Sequence, residues 1–276
     1  WLFPSLAVCV EHFMKDDVPA TYANIRAFND WLHDDWGFAY RDRIYAAPYL
    51  TLADPQWAID ELEWAIERGA RLVDMRPAAP TTALGQRSPF DPMFEGFWST
   101  LADAGITLVV HASDGGVSSN GYAEDGFAAK FGGGWQPSVK MFAIERAVTD
   151  FLLSMLFSNL FQRLPRLRVA SVENGAEFLP EVFRKLRSVD KKAHGWFGDD
   201  PVDVFRRHVW INPFWEDDVN EVVEHMGADR VVFGSDWPHI EGMPAPLDYL
   251  SEVKALDEAD RRLVMHDNAA ALVTPI

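Results

Sequence analysis

Residues 91–111 read Asp-Pro-Met-Phe-Glu-Gly-Phe-Trp-Ser-Thr-Leu-Ala-Asp-Ala-Gly-Ile-Thr-Leu-Val-Val-His. Asp91 is an N-cap and Pro92 fits the first helical position, where no amide hydrogen is needed. Gly105 stops the helix, and Ile106 to His111 is then an apolar, β-rich run that ends in a reactive side chain. Helix, stop and buried strand make one unit of an α/β fold. The same grammar lies upstream, where Asp54-Pro55 opens a helix with Trp57, Leu62, Ala65 and Ile66 on one face, Gly69 closes it and Arg71 to Met75 follows as a strand. Downstream, an apolar-faced helix is predicted over Ala143 to Leu164, closed by Pro165, and another over Glu216 to Met226, ended by Gly227.

Seven strand-like runs emerge: Leu2 to Val10, Arg43 to Pro48, Arg71 to Met75, Ile106 to His111, Leu167 to Glu173, His208 to Asn212 and Arg230 to Phe233. Each is followed by room for a helix, the pattern of a parallel sheet. Seven βα units are one short of a (β/α)8 TIM-type barrel, so the predicted fold is that barrel with its first strand lacking from the chain. A doubly wound open sheet is the rival, but no glycine-rich phosphate loop follows any strand. One domain over 1–276 is expected, because 19 Phe and 11 Trp are spread along the whole length.

The formal charge of −17, from 25 Lys plus Arg against 42 Asp plus Glu, opposes phosphate backbones and anionic membranes, so neither nucleic acid nor membrane is an expected partner. Cys9 stands alone and cannot form an internal disulfide; with no uncharged apolar run of spanning length, a reducing, cytoplasmic setting is expected. The long apolar helix from Ala143 can hide a homodimer contact.

In a barrel of this type chemistry sits where strands stop. His111, Glu173 and Asn212 each end an apolar run, Asp236 follows Val231 to Ser235, Arg76 ends Leu72 to Met75, and His12 closes the first run. Imidazole plus carboxylate suits a divalent ion, zinc first and manganese second, and the carboxylate at the last strand can also accept a proton. Bland readings stand beside these: a hydrogen-bonded structural His111, a helix cap for Glu173 to Gly175, solvated or ion-paired roles for His12 and Arg76. His33, His194, His225 and His266 fall in helical or polar stretches and read as surface.

The run Phe233-Gly234-Ser235-Asp236-Trp237-Pro238-His239 resembles the last-strand signature of the amidohydrolase superfamily, in the branch of aminocarboxymuconate-semialdehyde decarboxylase and related "amidohydrolase 2" proteins. The His111 strand, Val172 to Pro180 and Asp267-Asn268-Ala269 fall in that family's order. The resemblance implies a distorted (β/α)8 barrel with one divalent metal, His111 as fifth-strand ligand, Asp236 as eighth-strand ligand and proton-transfer group, and Glu173 at the sixth-strand position. Two departures stand out. The family's first-strand His-x-His or acid-x-His pair is absent, Glu11-His12 having no intervening residue. Members with a decarboxylase role usually carry His where Glu173 stands.

The first expectation is therefore a metal-dependent hydrolase acting on a small carboxylated or aromatic substrate, with activated water as nucleophile and Asp236 taking its proton. The alternative is a carboxy-lyase in which Asp236 delivers a proton to the carbon that loses CO2. A barrel that binds a small molecule without turning it over is the non-catalytic alternative. Asp236, Glu173 and His239 are the expected catalytic groups, His111 and Asp236 the metal ligands, and Arg76, His12 and Asn212 the substrate contacts, with Arg76 gripping a carboxylate through its planar fork. The aromatic stretches Phe90 to Trp98 and Phe127 to Trp135 are expected either to shape an apolar pocket or to pack outside the barrel.

Overall fold

Four of the apolar runs pair as one parallel ladder in chain order, β1 (Leu72–Met75), β4 (Thr107–His111), β5 (Arg168–Val172) and β6 (Val209–Ile211), with a short hairpin of β2 (Thr81–Thr82) and β3 (Gly85–Gln86) set between the first two. The computed structural model describes residues 1–4, 7–113, 115, 121–122, 139–239 and 242–276. Single parallel bridges extend the ladder on both sides, joining Leu2 to Ala46, Tyr49 to Asp74 and Ile211 to Val231. Backbone bonds support them, among them Ala47 N to Leu2 O (3.0 Å), Leu50 N to Asp74 O (2.8 Å) and Val232 N to Ile211 O (2.9 Å). Seven segments thus follow one another, all parallel, with helices between them. The architecture is α/β, of the (β/α)8 TIM-type barrel.

The capping signals hold in detail. Asp54 Oδ1 accepts from the Gln56 and Trp57 amides at the head of α3 (Pro55–Glu67), and Asp91 accepts from Met93 at the 3₁₀ turn that leads into α4 (Glu95–Ala104). Gly105 takes the left-handed conformation expected of a helix stop, at φ 63°.

Several boundaries differ from the expectation. Among the described residues of Leu2 to Val10, only Leu2 bridges the sheet, and Ala7–Met14 forms helix α1. A short apolar run satisfies strand and buried helix alike. The runs at Arg43 to Pro48 and Arg230 to Phe233 contribute isolated bridges, not ladders. The long helix is α5 (Ala143–Phe157) and α6 (Leu160–Arg163), broken where Asn159 turns left-handed at φ 55°. A helix the pattern did not single out, α2 (Val18–Trp36), is capped by Asp17. Phe127 to Trp135 lies outside the described residues.

Strand alternation sorts the core into two. Val73, Met75, Leu108, Val110 and Val169 face outward to the helices, joined there by Phe94, Phe97, Trp98, Phe151 and Leu156. Leu72, Val109, Ala170, Val172 and Val232 face inward. Phe90, Phe94, Phe97 and Trp98 are therefore packing residues of the outer core, where each fully buried large side chain contributes about 1.5–3 kcal/mol. The helix Asn268–Leu272 closes the end of the barrel opposite His111: Thr107 Oγ1 donates to Leu272 O (2.7 Å) and Arg168 Nη1 to Ala271 O (3.0 Å). Asn268, from the terminal Asp-Asn-Ala stretch, is buried and donates to Ala228 O and Val231 O, both at 2.8 Å, which pins the last strand. Among the described residues no helix is long and apolar enough to cross a membrane.

Candidate metal centre

The register of β1, β4 and β5 puts Asp74 level with Val109 and Ala170, and His111 level with Val172. His111 shares the inward parity of Val109, so its ring ends the barrel's inner wall rather than its helix-facing side. It is 4% exposed. Nδ1 donates to the Ala112 carbonyl oxygen (2.8 Å), which fixes the ring and leaves Nε2 aimed at Glu173 Oε2, 3.0 Å away. Burial acts against the imidazolium. The Glu173 bond, the charges of Asp74 and Glu173 and the Ala112 carbonyl outweigh it and raise the pKa to about 9.

Simple alternation would point Glu173 away from the interior, because Val172 before it points in. The chain solves this with an elbow: Glu173 is left-handed at φ 58° and Gly175 at φ 70°. The strain is held by Asn174, fully buried, whose Nδ2 donates to Val110 O (2.8 Å) and Val172 O (2.9 Å) across two strand ends. Gly175 has no room for a side chain, since a Cβ there would lie 2.7 Å from the Phe214 ring. Asp236 sits on a second elbow, at φ 52°, followed by the cis Trp237–Pro238 peptide. The His239 amide donates to Asp236 O (2.9 Å) and folds the loop back.

The two elbows bring their side chains together. His239 Nδ1 lies 2.7 Å from Asp236 Oδ1 and 4.0 Å from Glu173 Oε1. Donor atoms of Glu173, Asp236 and His239 all lie within 4.8 Å of one another. Two carboxylates and an imidazole at that separation fit a divalent ion of hard to borderline character. The pair read from sequence as metal ligands, His111 and Asp236, lines one cleft, but the converging set is Glu173, Asp236 and His239. His111 joins it one step away, through its contact with Glu173. The cleft measures about 460 Å³; Trp1, Phe3, Val172, Val232 and Phe233 supply much of its wall, and the Phe3 ring centroid lies 5.2 Å from that of His111.

The three expected substrate contacts are placed differently. Arg76 follows β1 at the level of His111, but its side chain is 5% exposed and paired with Glu11 of α1, Nε to Oε2 at 3.2 Å. It is not among the cleft-lining residues, because Glu11 already occupies its fork. His12 stands in α1, half-buried, with its ring edge-on to Phe13, and does not line the cleft either. A helix has replaced the strand end assumed for it. Asn212 does line the cleft floor, where its Oδ1 accepts from the Glu173 amide (3.3 Å).

Sequence reading passed over Asp74. Its signal was a charged residue inside an otherwise apolar run, Leu72-Val73-Asp74-Met75, at inward parity. It is wholly buried, and burial first, then the charge of Glu173, raise its pKa to about 7 against the opposing pull of His111 and the Met75 amide. The folded protein thus keeps this proton to higher pH than the unfolded chain, which releases it near the ordinary carboxylate value. The associated stability is complete below about pH 4 and drains away as pH rises through about 7. Asp74→Asn carries no charge at any pH, so its stability relative to wild type climbs across that interval by on the order of 4 kcal/mol. Urea unfolding at both ends of the interval measures it; a pH-independent difference contradicts the assignment.

Known proteins fit this geometry. The family model described as Amidohydrolase matches residues 3–274. Gamma-resorcylate decarboxylase of Polaromonas sp. (strain JS666 / ATCC BAA-500) is 27% identical over 252 residues, covering 84% of this chain and 70% of the relative. The crystal structure of an amidohydrolase from Mycobacterium avium subsp. paratuberculosis superposes with a TM-score of 0.89 at 38% identity, over 99% of this chain and 70% of that one. A dihydroxybenzoic acid decarboxylase from Polaromonas sp. JS666, with bound manganese and the inhibitor 2-nitroresorcinol, shares the fold at a TM-score of 0.71 and 17% identity, over 92% of this chain and 76% of that one. Barrel and a family match over nearly the whole length agree: the chain belongs to the amidohydrolase family and is an enzyme of it.

Proposed function

We propose that the protein is a divalent-metal-dependent decarboxylase of a small hydroxylated aromatic acid, with manganese ahead of zinc as its ion. The observation that carries this reading is the 27% identity over 84% of the chain to a gamma-resorcylate decarboxylase, joined to a cleft lined by both acid-base and apolar side chains. The hydrolytic reading first favoured from sequence has no comparable support among these relatives. Manganese is preferred to zinc because a protein of this fold holds it, and because two carboxylates in a three-residue set favour an oxygen-seeking ion.

Glu173, Asp236 and His239 would hold the ion, with His111 acting on it through Glu173. Bound there, a divalent ion supplies a Lewis acid that grips the oxygen donors of the substrate. The chain's own groups do the rest. Phe3, Val172, Val232 and Phe233 pack against the aromatic ring and exclude water from one face. Asp236 Oδ1, bonded to His239 Nδ1, holds a proton shared by that pair. As the bond between ring carbon and carboxylate carbon breaks, CO2 departs, the electron pair stays on the ring carbon, and the pair delivers its proton there. His111, fixed by Ala112, keeps Glu173 turned into the cleft.

Chelated protein is expected to be inactive, and added Mn²⁺ to restore CO2 release from gamma-resorcylate in equal amount to the acid consumed. No CO2 from any ortho-hydroxylated aromatic acid, combined with entry of oxygen from labelled water into the products of an ester or amide panel, returns the assignment to hydrolysis.

A further inference from the structure

Both site carboxylates stand on elbows that a non-glycine residue adopts at a cost, Glu173 at φ 58° and Asp236 at φ 52°. Between the two lies one side-chain amide. Asn212 follows β6, is 7% exposed, and its own amide nitrogen donates to Ser171 O (2.9 Å), which keys it to the strand that carries Glu173. Its Oδ1 accepts from the Glu173 amide (3.3 Å), while Nδ2 donates to Val232 O and Pro213 O, both at 3.2 Å. Val232 is on the segment that runs into Asp236. Gly234, two residues before Asp236, packs onto the face of the amide so closely that a Cβ there would lie 2.7 Å from Nδ2 and 3.0 Å from Cγ and Oδ1.

An amide with both its donor and acceptor directed at backbone groups has little left to offer a substrate. We propose that Asn212 is a positioning residue: one planar amide, braced by Gly234, sets the separation of the Glu173 and Asp236 elbows and thereby the affinity of the centre for a divalent ion. This inference rests on the metal-centre reading above and replaces the substrate-binding role expected for Asn212 from sequence. Partners that orient ligating groups govern metal affinity by about 10- to 100-fold. The clamp spans Glu173 and the Asp236 strand at once, so loosening it moves two ligands together.

Three proteins decide the question: wild type, Asn212→Ala and Gly234→Ala. The last keeps every hydrogen-bonding group and only displaces the amide, so it reports even where Asn212→Ala fails to fold. Titration with Mn²⁺ alone, followed by the electron paramagnetic resonance of the free ion, is expected to show Kd raised by about tenfold or more in each folded variant. The substrate KM, measured at saturating Mn²⁺, is expected to stay within about twofold of wild type. A KM that rises while the Mn²⁺ Kd is unchanged makes Asn212 a substrate contact and overturns the proposal. Lowered thermal stability with unchanged Kd and KM makes it merely structural and also overturns it. Wild-type protein that takes up no Mn²⁺ removes the metal centre itself and the clamp with it, whereas wild-type uptake matched by both variants removes the clamp alone.

Discussion

On the proposed decarboxylase reading, Asp236→Asn is expected to lower CO2 release by about three orders of magnitude and to leave the fold standing. The two halves of that expectation have separate grounds. Asp236 is at the cleft, 26% exposed at its side chain, and Asn keeps its shape, so packing hardly changes. Its carboxylate, however, is one of three converging donors and the hydrogen-bond partner of His239 at 2.7 Å. An amide can neither carry the negative charge nor hand over the proton. His239→Gln, which leaves the carboxylate in place, is expected to cost less, about one to two orders of magnitude. Steady-state CO2 release at saturating Mn²⁺, beside circular dichroism for the fold, checks both. An Asp236→Asn protein that retains more than about a tenth of the wild-type rate rules out Asp236 as proton donor.

The reach of the sequence can be traced through the same residues. His111 was legible because it ends an apolar, β-rich run, Ile106 to Val110, where a barrel strand stops. Asp236 and His239 were legible through a seven-residue motif, although their convergence on Glu173 was not, because two positive-φ elbows reset the direction of the side chains and nothing in Val-Glu-Asn-Gly or Gly-Ser-Asp-Trp states a dihedral angle. The same limit explains the errors. Trp1 to Val10 contains enough apolar residues for either period, so α1 was taken for a strand and His12 for a strand-end group. The helix from Ala143 looked continuous because Asn159 sits among apolar neighbours, yet its left-handed backbone ends the helix. Asp74 and Asn212 acquire meaning only from neighbours on other strands. Arg76 shows the limit most plainly: it was placed at the correct level of the barrel, and its partner lies 65 residues away on an element whose type was misread.

That partnership yields the largest expected loss of stability. Glu11 and Arg76 are both nearly sealed, at 6% and 5% side-chain exposure, and Tyr49 adds a third member by donating its hydroxyl to Glu11 Oε2 at 2.7 Å. Tyr49 is itself fixed, since Asn29 exchanges two hydrogen bonds with its backbone at 2.8 and 2.9 Å. Glu11→Leu removes the anion that faces the buried guanidinium and accepts from the Tyr49 phenol, a change expected to cost about 3–5 kcal/mol. For a chain of this size that lowers Tm by on the order of 10 °C. The double variant Glu11→Leu/Arg76→Leu removes both buried charges together and is expected to recover about half or more of the loss, so the two single effects do not add. Thermal unfolding of the four members of this cycle measures the coupling directly. The cycle also tests the older reading of Arg76. A guanidinium engaged by Glu11 contributes to folding, and Arg76→Leu in the Glu11→Leu background is then expected to leave substrate KM near that of the single variant. A guanidinium released from Glu11 to grip a substrate carboxylate instead makes Glu11→Leu bind substrate more tightly and makes the second substitution abolish that gain; either result would return Arg76 to the cleft.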